Sequence, residues 1–213
     1  MDNIIEVRSL VKRFGKKTVL SGVNAEFEAH KIHGLIGRNG SGKTVLMKCI
    51  CGLTPITGGS VTVNGKRIGK DCEIIPNAGV IIETPGFIPN MSGFGNLKNL
   101  ASLSGKIGKT EIRNSISKVG LDPDDKKHVG KYSLGMRQRL GLAQAIMEDP
   151  ELLILDEPMN GLDKDGVNDM RQYLLDLKSQ GKTILIASHS AEDIDVLCDT
   201  VCEMDKGILT AIR

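Results

Sequence analysis

Eight consecutive residues have the composition and spacing of a loop that holds phosphate. Glycines let the backbone curl so that successive N–H groups point at phosphate oxygens, and a helix that starts at the lysine aims its positive end at the same place. The lysine would bring a cation to the outer phosphates, and the hydroxyl that follows it would bind Mg²⁺. The match to G-x-x-x-x-G-K-[ST] predicts a nucleoside triphosphate site that suits a GTPase, a small-molecule kinase or a motor. The residues are Gly37, Arg38, Asn39, Gly40, Ser41, Gly42, Lys43 and Thr44.

Two adjacent carboxylates follow an apolar run in the second half of the chain. Leu152–Leu155 is typical of a strand buried on both faces, and such a strand carries its last residues to the edge of the sheet where ligands bind. Asp156 at that edge would hold Mg²⁺, directly or through water, and Glu157 would polarise an attacking water. Because a kinase needs no such water, the pair favours hydrolysis. The alternative is a pair of solvated acids at a strand end.

Two further segments of the chain could contact an anion. His189 follows the second buried-type strand, Thr183–Ala187, where it could reach a terminal phosphate, although a lone histidine is more often structural. Ser133 and Gly135 precede an amphipathic segment, so they suit an anion site at a helix N-terminus, or a helix cap formed by Ser133 alone.

The elements that must position these residues alternate between strand and helix. Strands are predicted over 4–10, 18–27, 31–36, 60–63 and 78–82, and a buried helix over 44–51. From 92 to 149 the pattern is helical, with Thr110 as the expected N-cap of one helix. Strand–helix alternation on both sides of this stretch predicts a largely parallel α/β core with a helical insertion.

Composition excludes several classes of protein. The 213 residues carry a net charge of +2, are 3% aromatic and contain no tryptophan, which argues against a nucleic-acid-coating protein and against base-stacking platforms. No apolar run approaches the ~20 residues that a membrane-spanning helix needs, and the N-terminus lacks the features of a signal peptide. We expect a cytosolic chain. Its odd number of cysteines predicts reduced thiols, with Cys198 and Cys202 as a weak candidate metal pair.

The order of these motifs resembles that of the ATP-binding-cassette (ABC) ATPases. Tyr132–Arg139 is similar to the family signature Leu-Ser-Gly-Gly-Gln. Ser133 and Gly135 match it, and Tyr132, Leu134 and Met136 depart from it. Met159–Asp163 resembles the family's D-loop, Ser-Ala-Leu-Asp, and keeps Asp163. His189 matches the switch histidine of the family. Phe14 stands where the family has an aromatic residue that stacks on adenine, and the alternative for Phe14 is a place in a small core.

The resemblance implies an α/β P-loop NTPase of ABC type. We expect a RecA-like, mostly parallel core, an antiparallel β subdomain at the N-terminus and an inserted α-helical subdomain. The single domain would span 1–213, with 87–149 as the helical subdomain and 1–86 and 150–213 as the remainder. It further implies an ATPase that uses ATP and Mg²⁺, closes head to tail with a second ATPase subunit, and attaches to the inner face of the cell membrane through a permease. Neither nucleic-acid binding nor direct membrane insertion is expected.

One departure from the family pattern narrows the subgroup. After the strand at 78–82 the family normally has glutamine, which touches Mg²⁺ or its water, and here the residue is Glu83. Glu83 together with the D-loop sequence resembles the ATPases of bacterial exporters of peptide antibiotics, of the bacitracin and lantibiotic kind. The alternatives are a non-transport cassette that transmits force to a membrane complex, or one that acts on DNA or ribosomes.

Overall fold

The computed structural model describes residues 3–213, which form two sheets. The first is antiparallel, in the order β2-β1-β4-β5. Its strands are β1 (Asn3–Phe14), β2 (Lys17–Glu28), β4 (Gly58–Val63) and β5 (Lys66–Arg67). β1 continues four residues beyond the predicted end at Leu10, because it forms a long hairpin with β2 that turns at residues 15 and 16.

The second sheet supplies the edge at which the predicted site residues meet. Its order is β10-β9-β3-β8-β7-β6, and all neighbouring strands are parallel except β10. The strands are β3 (Ile32–Ile36), β6 (Ala78–Ile81), β7 (Leu152–Asp156), β8 (Thr183–Ala187), β9 (Thr200–Asp205) and β10 (Ile208–Ala211). Ala187 pairs with both Leu35 and Asp156, so the carboxyl ends of β3, β7 and β8 are level with one another.

The helices follow the predicted alternation. They are α1 (Lys43–Cys51), α2 (Gly93–Ser104), α3 (Lys109–Lys118), α4 (Leu134–Ile146), α5 (Lys164–Ser179) and α6 (Ala191–Leu197), with a short 3₁₀ turn at Val129–Lys131. Strands β6 and β7 are direct neighbours, yet α2, α3 and α4 lie between them in the chain. The predicted helical insertion is therefore confirmed. The predicted cap at Thr110 is wrong: the N-cap of α3 is Gly108, two residues earlier, and Glu111 accepts a hydrogen bond from the N–H of Gly108 at 2.9 Å.

Apolar side chains form two cores on the two faces of the parallel sheet. One lies between that sheet, α1 and the antiparallel sheet, and the other lies between the parallel sheet and the remaining helices. Every residue of β7 and β8 is buried, as their continuous apolar sequences predicted. Across residues 3–213, none of the helices has both the length and the apolar character needed to cross a bilayer.

Candidate nucleotide-binding site

The phosphate loop connects β3 to α1 and is closely packed at its first glycine. Gly37 has φ = 141°, and a Cβ there would overlap the carbonyl oxygen of Met204 and lie 2.9 Å from Oγ of Ser41. Only glycine fits this position, since the backbone conformation and the neighbouring strand both exclude a side chain. The glycine therefore lets the loop leave the sheet edge and turn back over the start of α1.

This loop has the features of an anion site. Helix α1 begins at Lys43 with no side-chain cap and no acidic residue in its first turn. Oγ of Ser41 is buried and has no hydrogen-bond partner, and Nζ of Lys43 donates to the carbonyl oxygen of Gly37 at 2.6 Å. A buried hydroxyl without a partner and an uncapped helix N-terminus both suit a phosphate.

Two of the three predicted magnesium ligands, Thr44 and Asp156, are in direct contact. Oγ1 of Thr44 donates to Oδ2 of Asp156 at 2.7 Å, although the two residues are 112 positions apart in the chain. Asp156 is 8% exposed, so its carboxylate is fixed at the bottom of the site. A hydroxyl and a carboxylate are hard oxygen donors of the kind that Mg²⁺ prefers. Thr44, Asp156 and part of the phosphate loop line a cavity of about 310 Å³.

Glu157 contacts the predicted switch histidine. Its Oε2 lies 2.7 Å from Nδ1 of His189, a distance at which the ring N–H donates to the carboxylate. Glu157 has φ = 51°, an unusual conformation for a residue other than glycine, and its N–H donates to the carbonyl oxygen of Ala187 at 2.9 Å. The carboxylate of Glu157 contacts His189 while that of Asp156 contacts Thr44, so the two neighbouring acids have different partners.

Behind His189 lies a buried polar cluster that the sequence analysis missed. Oγ of Ser188 donates to Asp193 at 3.0 Å, and Asp193 in turn accepts from Nε of Arg171 at 2.8 Å. Arg171 also donates to Glu192 at 2.9 Å, and Ser188, Asp193 and Arg171 are all buried. The cluster connects α5 and α6 to the residue that precedes His189. The available signal was the polar Arg171 next to Met170 on the apolar face of α5.

The signature residues lie apart from this cavity. Ser133 is the N-cap of α4, where its Oγ accepts from the N–H of Met136 at 3.1 Å, so the cap interpretation is confirmed. Ser133 and Gly135 do not line the cavity that holds Lys43 and Thr44. Asp163 also caps a helix, accepting from the N–H of Gly166 at 3.0 Å. The predicted contacts of these residues with a nucleotide stay predictions.

Phe14 is not part of a small core. It is 51% exposed, and Nζ of Lys12 lies 4.4 Å from the centre of its ring. The core interpretation is therefore wrong. An exposed aromatic face with a cation beside it remains available for stacking.

Glu83 lies two residues beyond β6 and forms an ion pair that the sequence analysis did not foresee. Its Oε1 is 2.8 Å from Nζ of Lys48 on α1, and its φ is 61°. Lys48 follows Thr44 by one helical turn, and that spacing was the signal for a lysine close to the site.

The cysteines form no metal site with other side chains. Among residues 3–213, the structure contains no cluster of three or more side chains suited to a metal. Burial raises the pKa of Cys198 to about 12.

Comparison with known proteins decides the family. The sequence profile of the ABC transporter family matches residues 20–160. The chain belongs to this family. ABC transporter relatives cover almost the whole chain: the uncharacterized ATP-binding protein YybJ of Bacillus subtilis is 44% identical over 97% of this chain and 94% of its own length. The bacitracin transport ATP-binding protein BcrA of Enterococcus faecalis is 42% identical over 98% of this chain and 68% of its own length.

A further ABC transporter relative is similar to this chain in sequence, and a solved ABC cassette is similar to it in fold. The lantibiotic transport ATP-binding protein SrtF of Streptococcus pyogenes is 38% identical over 93% of this chain and 85% of its own length. The ATP-binding cassette MJ0796, solved as a dimer bound to ADP and phosphate, superposes with a TM-score of 0.87 at 17% identity, over 98% of this chain and 99% of that structure. The ABC-type α/β fold and the ATPase class expected from the sequence are confirmed, and the transporter interpretation is favoured over the non-transport alternatives.

Proposed function

We propose that this ABC ATPase drives export of a peptide antibiotic or a similar amphiphile through a membrane permease. The observation that carries the proposal is its 42% identity, over 98% of the chain, to a protein named for bacitracin transport. The relative named for lantibiotic transport supports the same substrate class. The chain would lie on the cytoplasmic face of the membrane, held there by the permease.

Nucleotide binding is assigned to the edge of the parallel sheet. The backbone of the phosphate loop, Ser41 and Lys43 would hold the phosphates of ATP, and Phe14 would stack on its base. Thr44 and Asp156 would hold Mg²⁺, with Glu83 as a further candidate ligand. When bound, the metal neutralises charge on the phosphate oxygens.

The contact between Glu157 and His189 suits the hydrolytic step. Glu157 would accept a proton from the attacking water, and the ring of His189 would orient its carboxylate through the 2.7 Å hydrogen bond. Fixing this carboxylate matters because a general base acts only within hydrogen-bond reach of the proton it removes. His189 is also exposed enough to meet a terminal phosphate, since 71% of its side chain is accessible.

A second copy of the chain would complete the site. Ser133 and Gly135 lie outside the cavity that contains Lys43, so one chain alone does not surround a nucleotide with both motifs. A head-to-tail pair would place the signature residues of one copy over the ATP held by the other. ATP would then stabilise the closed pair, because some of its contacts exist only in that state. Hydrolysis removes those contacts and reopens the pair.

The test of the exporter function uses the native cell. A chromosomal Lys43→Ala variant should become sensitive to a peptide antibiotic of the bacitracin or lantibiotic class, because it cannot power export. Lys66→Ala, an exposed lysine on β5, is the matched control and should keep the resistance of the parent. If Lys43→Ala abolishes ATPase activity of the purified protein but leaves resistance to every such peptide unchanged, the exporter assignment is wrong while the ATPase assignment stands.

A further inference from the structure

The start of α4 is packed directly on the segment that follows β7. Gly161 has φ = 78°, and a Cβ built on it would lie 2.5 Å from both Cγ and Cδ2 of Leu134. The side chain of Leu134 therefore occupies the space in which any other residue at 161 would place its first carbon. Leu134 is still 51% exposed, so burial in the core does not explain its position.

The packing is tight from the other side as well. A Cβ on Gly135 would lie 2.9 Å from the carbonyl oxygen of Gly161 and 3.5 Å from Cδ2 of Leu162. One turn further along α4, Nε2 of Gln138 donates to the carbonyl oxygen of Glu157 at 3.3 Å. The helix that begins with the signature residues is thus held against the segment 157–162 at successive points.

The two contacting residues differ from the motif pattern in opposite directions. Leu134 stands where the signature pattern has glycine, and Gly161 stands where the D-loop pattern has alanine. Leu134 is larger than the glycine of the signature pattern, and Gly161 is smaller than the alanine of the D-loop pattern. The added atoms of Leu134 lie in the space that a Cβ on residue 161 would occupy. Either change alone would leave an overlap or a gap at this contact.

We propose that Leu134 is a positioning residue that sets the spacing between the signature segment and the loop at Asn160–Asp163, so that both meet a second copy of the chain as one unit. This role rests on the proposed head-to-tail pair. It predicts that residues 134 and 161 are coupled in ATP-driven pairing and in turnover, and that neither affects the binding of ATP to the Lys43 side of a single chain.

A double-mutant cycle tests the coupling in a Glu157→Gln parent, which should accumulate as an ATP-bound dimer. Gly161→Ala should weaken ATP-driven dimerisation by about tenfold, a coupling typical of residues in contact, and Leu134→Ala in the same chain should restore most of the loss. The backbone strain of alanine at φ = 78° is present in both chains, so the restoration measures the overlap alone. Leu103→Ala is the matched control: this leucine is 84% exposed on α2 and should restore nothing.

Analytical ultracentrifugation gives the dimer constant, and calorimetry gives the affinity for ATP. Unchanged ATP affinity with restored dimerisation supports the role of Leu134. Independent, multiplicative effects of the two substitutions, or an equal rescue by Leu103→Ala, would overturn it. If Gly161→Ala does not fold, the dimer constants of Leu134→Met and Leu134→Ala are compared instead. Only the alanine variant leaves a gap over Gly161, so only that variant should weaken dimerisation. A parent that forms no dimer with ATP would overturn the proposed pairing, and this role with it.

Discussion

Replacing Arg171 with methionine should cost this protein much of its stability. Arg171 is 8% exposed, and its Nε lies 2.8 Å from Oδ1 of Asp193, which is itself 3% exposed. Methionine keeps much of the apolar volume but leaves a carboxylate buried without its cation. Breaking a buried pair in this way costs about 3–5 kcal/mol. In a chain of this size 1 kcal/mol corresponds to roughly 2–4 °C, so Tm should fall by about 6–20 °C.

Scanning calorimetry, with urea unfolding as a second measure, checks this loss. Arg113→Met removes an ion pair with the exposed Asp124 and should lower Tm far less. Combining Arg171→Met with Asp193→Asn should recover much of the lost stability, because no charge then remains buried and the asparagine oxygen still accepts from Ser188. The reasoning fails if Arg171→Met lies within about 1 kcal/mol of the parent, below the range for a broken buried pair. It also fails if the double variant is as unstable as the single one.

Four other changes test the site and the fold. Lys43→Ala should weaken ATP binding by roughly 10- to 150-fold, the usual worth of a hydrogen bond to a charged group, measured by calorimetry. Glu157→Gln should bind ATP normally and hydrolyse it at least about 100-fold more slowly in a phosphate-release assay. Glu83→Gln should need more Mg²⁺ for half-maximal ATPase activity, because an amide is a weaker ligand than a carboxylate; superimposable titrations would remove Glu83 from the metal site. Burial lowers the pKa of His33 in the folded protein. The unfolded protein therefore binds more protons, and the free energy of unfolding should fall as pH drops below about 6.5. His33→Gln should reduce this pH dependence when urea unfolding is measured at several pH values.

The strands and helices around the phosphate loop were predictable because their signals are local. Leu152–Leu155 and Thr183–Ala187 are continuous apolar runs, and both are fully buried strands. Boundaries were harder, since they depend on partners elsewhere in the chain. β1 extends to Phe14 because β2 pairs with it there, and α3 begins before Thr110 because Glu111 reaches back to the N–H of Gly108.

The chemistry of the site was predictable where a residue type has one common role in its motif. The contact of Thr44 with Asp156 follows from a phosphate loop and a strand-end acid that share one sheet edge. The partners of polar residues were not predictable in this way. Nothing local to Arg171 indicates that it pairs with a carboxylate on α6, because that contact depends on how two helices pack.

Departures from the motif pattern are where the fold adds most to the sequence. In the sequence alone, Leu134 weakens the match to the signature, and Glu83 adds a negative charge close to the expected metal. In the structure each departure has a partner: Gly161 leaves space for Leu134, and Lys48 supplies a cation to Glu83 at 2.8 Å. Restoring the family residue at one position therefore leaves its partner mismatched, as a gap over Gly161 or as an unpaired Lys48. A single substitution at such a position changes both the motif and the contact with its partner, and a variant in which both partners are changed separates the two effects.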